Sequence, residues 1–239
     1  MVLDVVGSSP IVRPKKLFQK DLPWRSFLLL GRMSKTFAFT YTESMKLYLS
    51  SLGFPDKQQY QNLFTENKRV ALIPTACNDA PDKQEGYIAW RKQELEEMGF
   101  TIEVIDISQY ENKKDEIAAK IRNFDGVWVL GGNTFYLNYW MHQSGVADLL
   151  PELLKGGFVY GGESAGGLIA GTTLHGIELL DDPAEAPEII WNGMGFVDYG
   201  ILPHKGNAEY AAQYNDATRK MSEHTHVKML TDDDFIIAQ

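Results

Sequence analysis

Cysteine is almost absent from this chain: Cys77 is the only one among 239 residues. That excludes an internal disulfide framework and suits a reducing compartment. Cys77 follows Ile73-Pro74-Thr75-Ala76 at the end of an apolar run, a setting for a small buried thiol rather than a nucleophile. Basic residues are also in short supply, with 23 Lys and Arg against 32 Asp and Glu and a net charge of −9. Such a balance argues against nucleic acid and anionic membrane surfaces as partners. No apolar run approaches the roughly 18 residues of a membrane span. Residues 1–20 contain Asp4 and no apolar centre, so they do not read as a signal peptide. The expectation is a cytoplasmic protein that does not touch membranes.

What is present is a regular alternation of short apolar runs and helical segments. Residues 1–25, with Ser8-Ser9-Pro10 and Pro14-Lys15-Lys16, read as an N-terminal arm, and 26–239 as a single domain. Strands are expected at 26–30, 69–73, 101–107, 126–130 and 157–160. Helices are expected at 42–52, closed by Gly53 and Pro55, and at 82–98, 113–124, 134–142 and 146–155. In the helix at 82–98, Ile88, Leu95 and Met98 share one face and Gly99 occupies the stop position. Without internal repeats, this order implies an α/β fold with a mostly parallel sheet and helices on both faces. An active site then belongs at the carboxyl ends of the strands. The two glycine-rich turns, 131–134 and 162–167, both fall there and are expected to be neighbours in space.

The second turn carries the chemistry. Gly162-Glu163-Ser164-Ala165-Gly166 follows the apolar run Phe158-Val159-Tyr160 and precedes Leu168-Ile169-Ala170, which reads as a helix start. A serine on a sharp strand-to-helix turn presents its hydroxyl above the sheet, and the flanking glycines avoid collision with the adjoining strand and helix. Backbone N–H groups after the serine place positive potential where an oxyanion would form. A serine hydroxyl needs a base, and five histidines are available. His142 lies on a helix ahead of the turn, and His175 falls about three turns beyond Ser164. His224 and His226 form an H-x-H without an evident third ligand. His204 follows Gly200-Ile201-Leu202-Pro203, a short run cut by proline, which puts it at a strand end level with Ser164. The orienting carboxylate is either Asp181 or Asp182, or one of Asp232, Asp233 and Asp234; spacing alone does not choose.

Four blocks in order carry a family resemblance: Ile73-Pro74-Thr75-Ala76, Gly131-Gly132-Asn133-Thr134-Phe135-Tyr136-Leu137, Gly162 to Gly166, and Pro203-His204. From about Ser26 to the C-terminus the chain resembles the dipeptidase E and cyanophycinase family of serine peptidases. The resemblance implies a three-layer, flavodoxin-like fold similar to class I glutamine amidotransferases. It implies Ser164 as nucleophile, His204 as base and Asp232 as acid, with Asp233 as a substitute. Gly132 and Ala165 would supply the oxyanion hole, and Asn133, Glu163 and Lys205 would meet the substrate. No cofactor or metal is implied, and the substrate would be a small peptide hydrolysed by a monomer or homodimer.

Three departures bear on specificity and extent. The segment after His204 is shorter than in the aspartyl dipeptidase and lacks arginine, leaving Lys205 and Arg219 as the only cations for an acidic substrate side chain. The acid is Asp rather than Glu. The chain stops at Gln239 where the family adds a further strand or hairpin, and it begins with the arm of residues 1–25. Two other readings use the same residues: an idle binding homologue and an esterase. A Ser164-to-His204 separation beyond about 4 Å would favour the binding homologue.

Overall fold

The computed structural model describes residues 45–65, 68–77 and 81–238. The arm expected at 1–25 and the strand expected at 26–30 lie outside the described residues. In chain order the elements are β1 (Lys46–Ser50), α1 (Lys57–Gln61), β2 (Arg69–Ile73), α2 (Pro81–Glu97) and β3 (Thr101–Val104). They continue with α3 (Lys114–Ile121), β4 (Gly126–Val129), α4 (Thr134–Gln143), α5 (Val146–Lys155), β5 (Val159–Glu163) and α6 (Ala165–Leu168). The last are β6 (Gly200–Leu202), α7 (Tyr214–Ser222), β7 (Val227–Met229) and β8 (Phe235–Ala238).

Six strands form one sheet in the order β3-β2-β4-β5-β1-β8. The first five are parallel, and β8 pairs antiparallel with β1. The period of two sends alternate side chains to opposite faces. Tyr48, Val70, Leu72, Trp128 and Val159 pack on one side with Tyr60, Phe64, Leu95 and Phe100 from α1, α2 and their flanks. Leu47, Leu49, Ala71, Ile73, Val127, Val129 and Tyr160 pack on the other with Ile117, Leu137, Met141, Leu150 and Leu154 from α3, α4 and α5. The fold is therefore the three-layer α/β sandwich, and its inner strands β2 and β4 read as apolar runs because both faces are covered.

A smaller parallel pair, β6 with β7, stands apart from the main sheet. It is packed through a third cluster of Phe135, Leu168, Leu174, Ile177, Leu202, Tyr214 and Met221. This cluster supports residues 171–199, which contain short 3₁₀ turns and no strand or α-helix.

The helix expected at 42–52 is a correction: residues 46–50 form β1, a strand inside the sheet between β5 and β8. Leu47, Tyr48 and Leu49 are all fully buried, and a helix of that length would have left one face to solvent. The strand expected at 101–107 ends at Val104, because the Asp106 side chain accepts the Ser108 N–H and caps a 3₁₀ turn over Ile107–Tyr110. β8, at the antiparallel edge of the sheet beside β1, is a strand for which the sequence reading gives no expectation. No helix among the described residues is long and apolar enough to cross a membrane.

Candidate active site

β5 runs directly into Ser164, whose backbone sits at φ 50° and ψ −117°. A non-glycine residue there costs about 1–2 kcal/mol and persists only where its surroundings fix it. The Ser164 N–H is donated to the Ser50 and Ser51 carbonyls, each at 3.1 Å, and the Leu168 N–H returns to the Ser164 carbonyl at 2.8 Å. The glycines are required by contact. A Cβ on Gly162 would overlap the Gly166 carbonyl, and one on Gly166 would overlap the Val129 carbonyl. A Cβ on Gly131 would lie 2.8 Å from the Ser164 Cβ, so the two glycine-rich turns are neighbours as expected. Gly132, at φ 136°, presses on the Ala76 carbonyl. Among the described residues, no backbone carbonyl takes the N–H of Gly132 or of Ala165, the first residue of α6.

His204 enters from the small sheet, just past β6 and Pro203. Its Nε2 is 2.8 Å from Ser164 Oγ, and its Nδ1 is 2.6 Å from Asp232 Oδ1. A carboxylate only accepts, so Nδ1 carries the proton and Nε2 is left to accept from the serine hydroxyl. The histidine is brought to the acid by the pairing of β6 with β7, extended by Leu230 N to Leu202 O at 2.9 Å and Lys205 N to Leu230 O at 2.8 Å. The Tyr210 ring stacks on the imidazole at 5.0 Å. His204 itself has φ 65°, the second non-glycine strain in the site.

Asp232 accepts from Ser51 Oγ at 2.9 Å and from Asn207 Nδ2 at 3.1 Å, as well as from His204. Burial pushes its carboxyl up, but the hydrogen bonds from His204, Ser51 and Asn207 outweigh this and hold it below the ordinary carboxylate value. The three adjacent aspartates thus separate. Asp232 faces the histidine, Asp233 is exposed, and Asp234 caps its own turn by accepting from Thr231 N and Oγ1 at 2.8 and 2.7 Å. Asp181 and Asp182 are not at the histidine: Asp181 Oδ2 accepts the Thr134 N–H, and Asp182 Oδ1 accepts the Ala184 N–H.

Glu163 is a correction to the substrate-contacting set. Its side chain is fully buried on the far side of the sheet. There it accepts from Arg91 Nε and Nη2 at 2.8 and 2.7 Å, Gly53 N at 2.7 Å and Trp128 Nε1 at 3.1 Å. Strand alternation explains this, since consecutive residues 163 and 164 must point to opposite faces. Asn133 does line the cleft, but its amide is engaged: Oδ1 accepts the Tyr136 N–H and Nδ2 donates to the Asp182 carbonyl. Lys205 is exposed and does not line the cleft. Arg219 lies on α7, paired with Asp216 and Glu223.

The remaining histidines lie off the cleft. His175 is stacked between Trp191 and His224, at 4.5 and 4.0 Å, and desolvation together with the His224 charge holds its pKa down. Burial likewise lowers His142. His226 is exposed. No group of three metal-ligating side chains occurs among the described residues. Cys77 is buried and donates to the Gly131 carbonyl at 3.1 Å.

Ser164 and His204 open onto a cleft of about 370 Å³. Its walls are Gly132, Asn133 and Thr134 on one side, Leu168, Ile177 and Leu180 below, and Asp181, Asp182, Glu185, Glu209 and Tyr210 around the mouth. Four of the lining side chains are acidic, and none of the described ones is Lys or Arg. Ser51, Asn207 and Tyr210 touch His204 or Asp232 and are not singled out by the sequence reading. Ser51 had a signal: once 46–50 is read as a strand, Ser51 sits at the carboxyl end of the strand beside β5, level with Ser164.

The family model for peptidase family S51 matches residues 48–239. An uncharacterized peptidase of Listeria innocua is 29% identical over 191 residues, covering 74% of this chain and 90% of its own length. A peptidase E of Shewanella denitrificans is 32% identical over 174 residues, covering 71% of this chain and 68% of its own. The crystal structure of a candidate peptidase E protein from Listeria monocytogenes superposes with a TM-score of 0.68 at 27% identity, covering 81% of this chain and 94% of that one. A peptidase of an acI-B1 actinobacterium shares the fold, with a TM-score of 0.62 at 14% identity. A strained serine at a strand-to-helix turn and the match across all but the first 47 residues agree: the chain belongs to peptidase family S51 and is a serine-type hydrolase.

Proposed function

We propose that this protein hydrolyses the amide bond of a small peptide by acyl transfer through Ser164. The hydroxyl oxygen attacks the scissile carbonyl while His204 Nε2 takes its proton. The carbonyl oxygen becomes an oxyanion held by the N–H groups of Gly132 and Ala165. As the C–N bond breaks, the imidazolium returns that proton to the leaving amine. A water, deprotonated by the same nitrogen, then releases the acyl group as an acid and restores Ser164. Asp232 holds Nδ1–H throughout and stabilises the imidazolium. The observation that carries this reading is the continuous chain of hydrogen bonds from Ser164 Oγ through His204 to Asp232, at 2.8 and 2.6 Å. That separation also weighs against an idle binding homologue.

A cleft of about 370 Å³ is at the small end of the usual range for small-molecule pockets, about 300–1,000 Å³, which suits a dipeptide or similar short substrate. Its carboxylate-rich mouth opposes an acidic side chain and suits one that brings an ammonium or guanidinium group. Amine release from a panel of dipeptides tests the reading. Hydrolysis by the wild-type protein that disappears in Ser164→Ala and in His204→Ala is expected; turnover that survives in either would overturn it.

A further inference from the structure

The turn that closes β1 contains one residue in contact with every member of the Ser164–His204–Asp232 chain. The register of β1 on β5 pairs Ser50 with Glu163, so Ser51 lies level with Ser164. Its carbonyl accepts the Ser164 N–H at 3.1 Å. Its Oγ accepts the His204 backbone N–H at 2.7 Å and donates to Asp232 Oδ1 at 2.9 Å. Its own N–H goes to the Asp234 carbonyl at 3.2 Å. Ser51 is fully buried, so its single hydroxyl proton and its accepting lone pair act on the base and the acid rather than on water.

These contacts fall where the site needs them. His204 holds a φ of 65°, and its backbone N–H is fixed by Ser51 Oγ. Asp232 stands on a turn with its side chain one-third exposed; Ser51 holds one carboxylate oxygen and Asn207 the other. Behind Ser51 the turn is itself anchored. Ser50 Oγ donates to the Gly53 carbonyl at 2.7 Å, and the Gly53 N–H is held by Glu163, which is gripped by Arg91. We propose that Ser51 is a positioning residue, which fixes the imidazole and its carboxylate in line with the serine that it also braces. The proposal rests on the reading of Ser164 as the nucleophile.

The rate at which diisopropyl fluorophosphate labels Ser164, measured on folded protein with its melting temperature as control, separates positioning from a purely structural role. Ser51→Ala is expected to slow labelling about 10- to 100-fold, the cost of a small misalignment of reacting groups. In dipeptide hydrolysis the same variant loses kcat with KM nearly unchanged. Ser51→Thr, which keeps the hydroxyl, restores most of the rate. Should Ser51→Ala fail to fold, Ser51→Cys, of similar size and with a weaker donor, is expected at an intermediate rate. Labelling of Ser51→Ala, or of Ser51→Cys in its place, at the wild-type rate overturns the positioning role alone. Absence of labelling in the wild-type protein overturns the nucleophile reading and this role with it.

Discussion

Ser164 holds its backbone at φ 50° and ψ −117°, a region that glycine enters more readily than any residue with a Cβ. Two replacements remove its hydroxyl and differ in stability. Ser164→Ala keeps the strain, whereas Ser164→Gly relieves it at the cost of a looser unfolded chain, leaving Ser164→Gly about 1 kcal/mol more stable than Ser164→Ala. Paired thermal melts measure the difference, and equal melting temperatures would mean that the turn is not strained. At this scale the strand-end positions of Ser164 and His204 are legible because glycine or a proline-cut run marks them, while Asp232, which the structure places 2.6 Å from His204, is singled out in the sequence by the family resemblance alone. Glu163 was misread because adjacency to the nucleophile in sequence is opposition in a strand. Ser51 gives no signal while residues 42–52 read as a helix, because its place beside Ser164 follows only from the strand at 46–50.

At the level of elements, β1 is a described segment read as a helix that folds as a strand, and the reason is physical. A strand covered on both faces shows no alternation, and Gly53 with Pro55 gave the segment the punctuation of a helix end. β2, β4 and α5 were readable from length and flanking residues. The junction of β5 with α6 depends on close backbone approach, since any side chain at residue 162 would meet the Gly166 carbonyl. Gly162→Val is therefore expected to lose soluble folded protein together with activity, as expression and circular dichroism would report. The buried pair behind this junction gives a separate prediction. Glu163→Gln leaves the Arg91 guanidinium, 1% exposed, with Glu94 as its charged partner among the described residues. Loss of a buried partner costs about 3–5 kcal/mol, and the remaining Glu94 places this variant near the lower figure. Denaturant unfolding that shows less than about 1 kcal/mol would contradict the account.

For the molecule as a whole, the excess of acid over base reaches the cleft mouth, where Asp182, Glu185 and Glu209 face the space next to Ser164. Peptides with an N-terminal Lys or Arg are expected to give higher kcat/KM than those with Asp, by about tenfold or more for an ion pair worth roughly 1.4 kcal/mol in a partly desolvated site. Preference for Asp would contradict it. Stability should also depend on acid. Hydrogen bonds outweigh burial to hold Asp106, Glu178 and Asp232 below their ordinary values. Groups depressed in the folded state contribute stability that is present above their unfolded values and lost as pH falls through the folded ones. Melting temperature should therefore be steady near neutrality and decline below about pH 4. Asp232→Asn should flatten part of that decline.

The central claim is that His204 activates Ser164. The most direct test is the mass of tryptic peptides after exposure to a fluorophosphonate. The account predicts one adduct, on the peptide containing Ser164, present in the wild-type protein and absent in His204→Ala. An adduct on another serine, or equal labelling of Ser164 without His204, would contradict it.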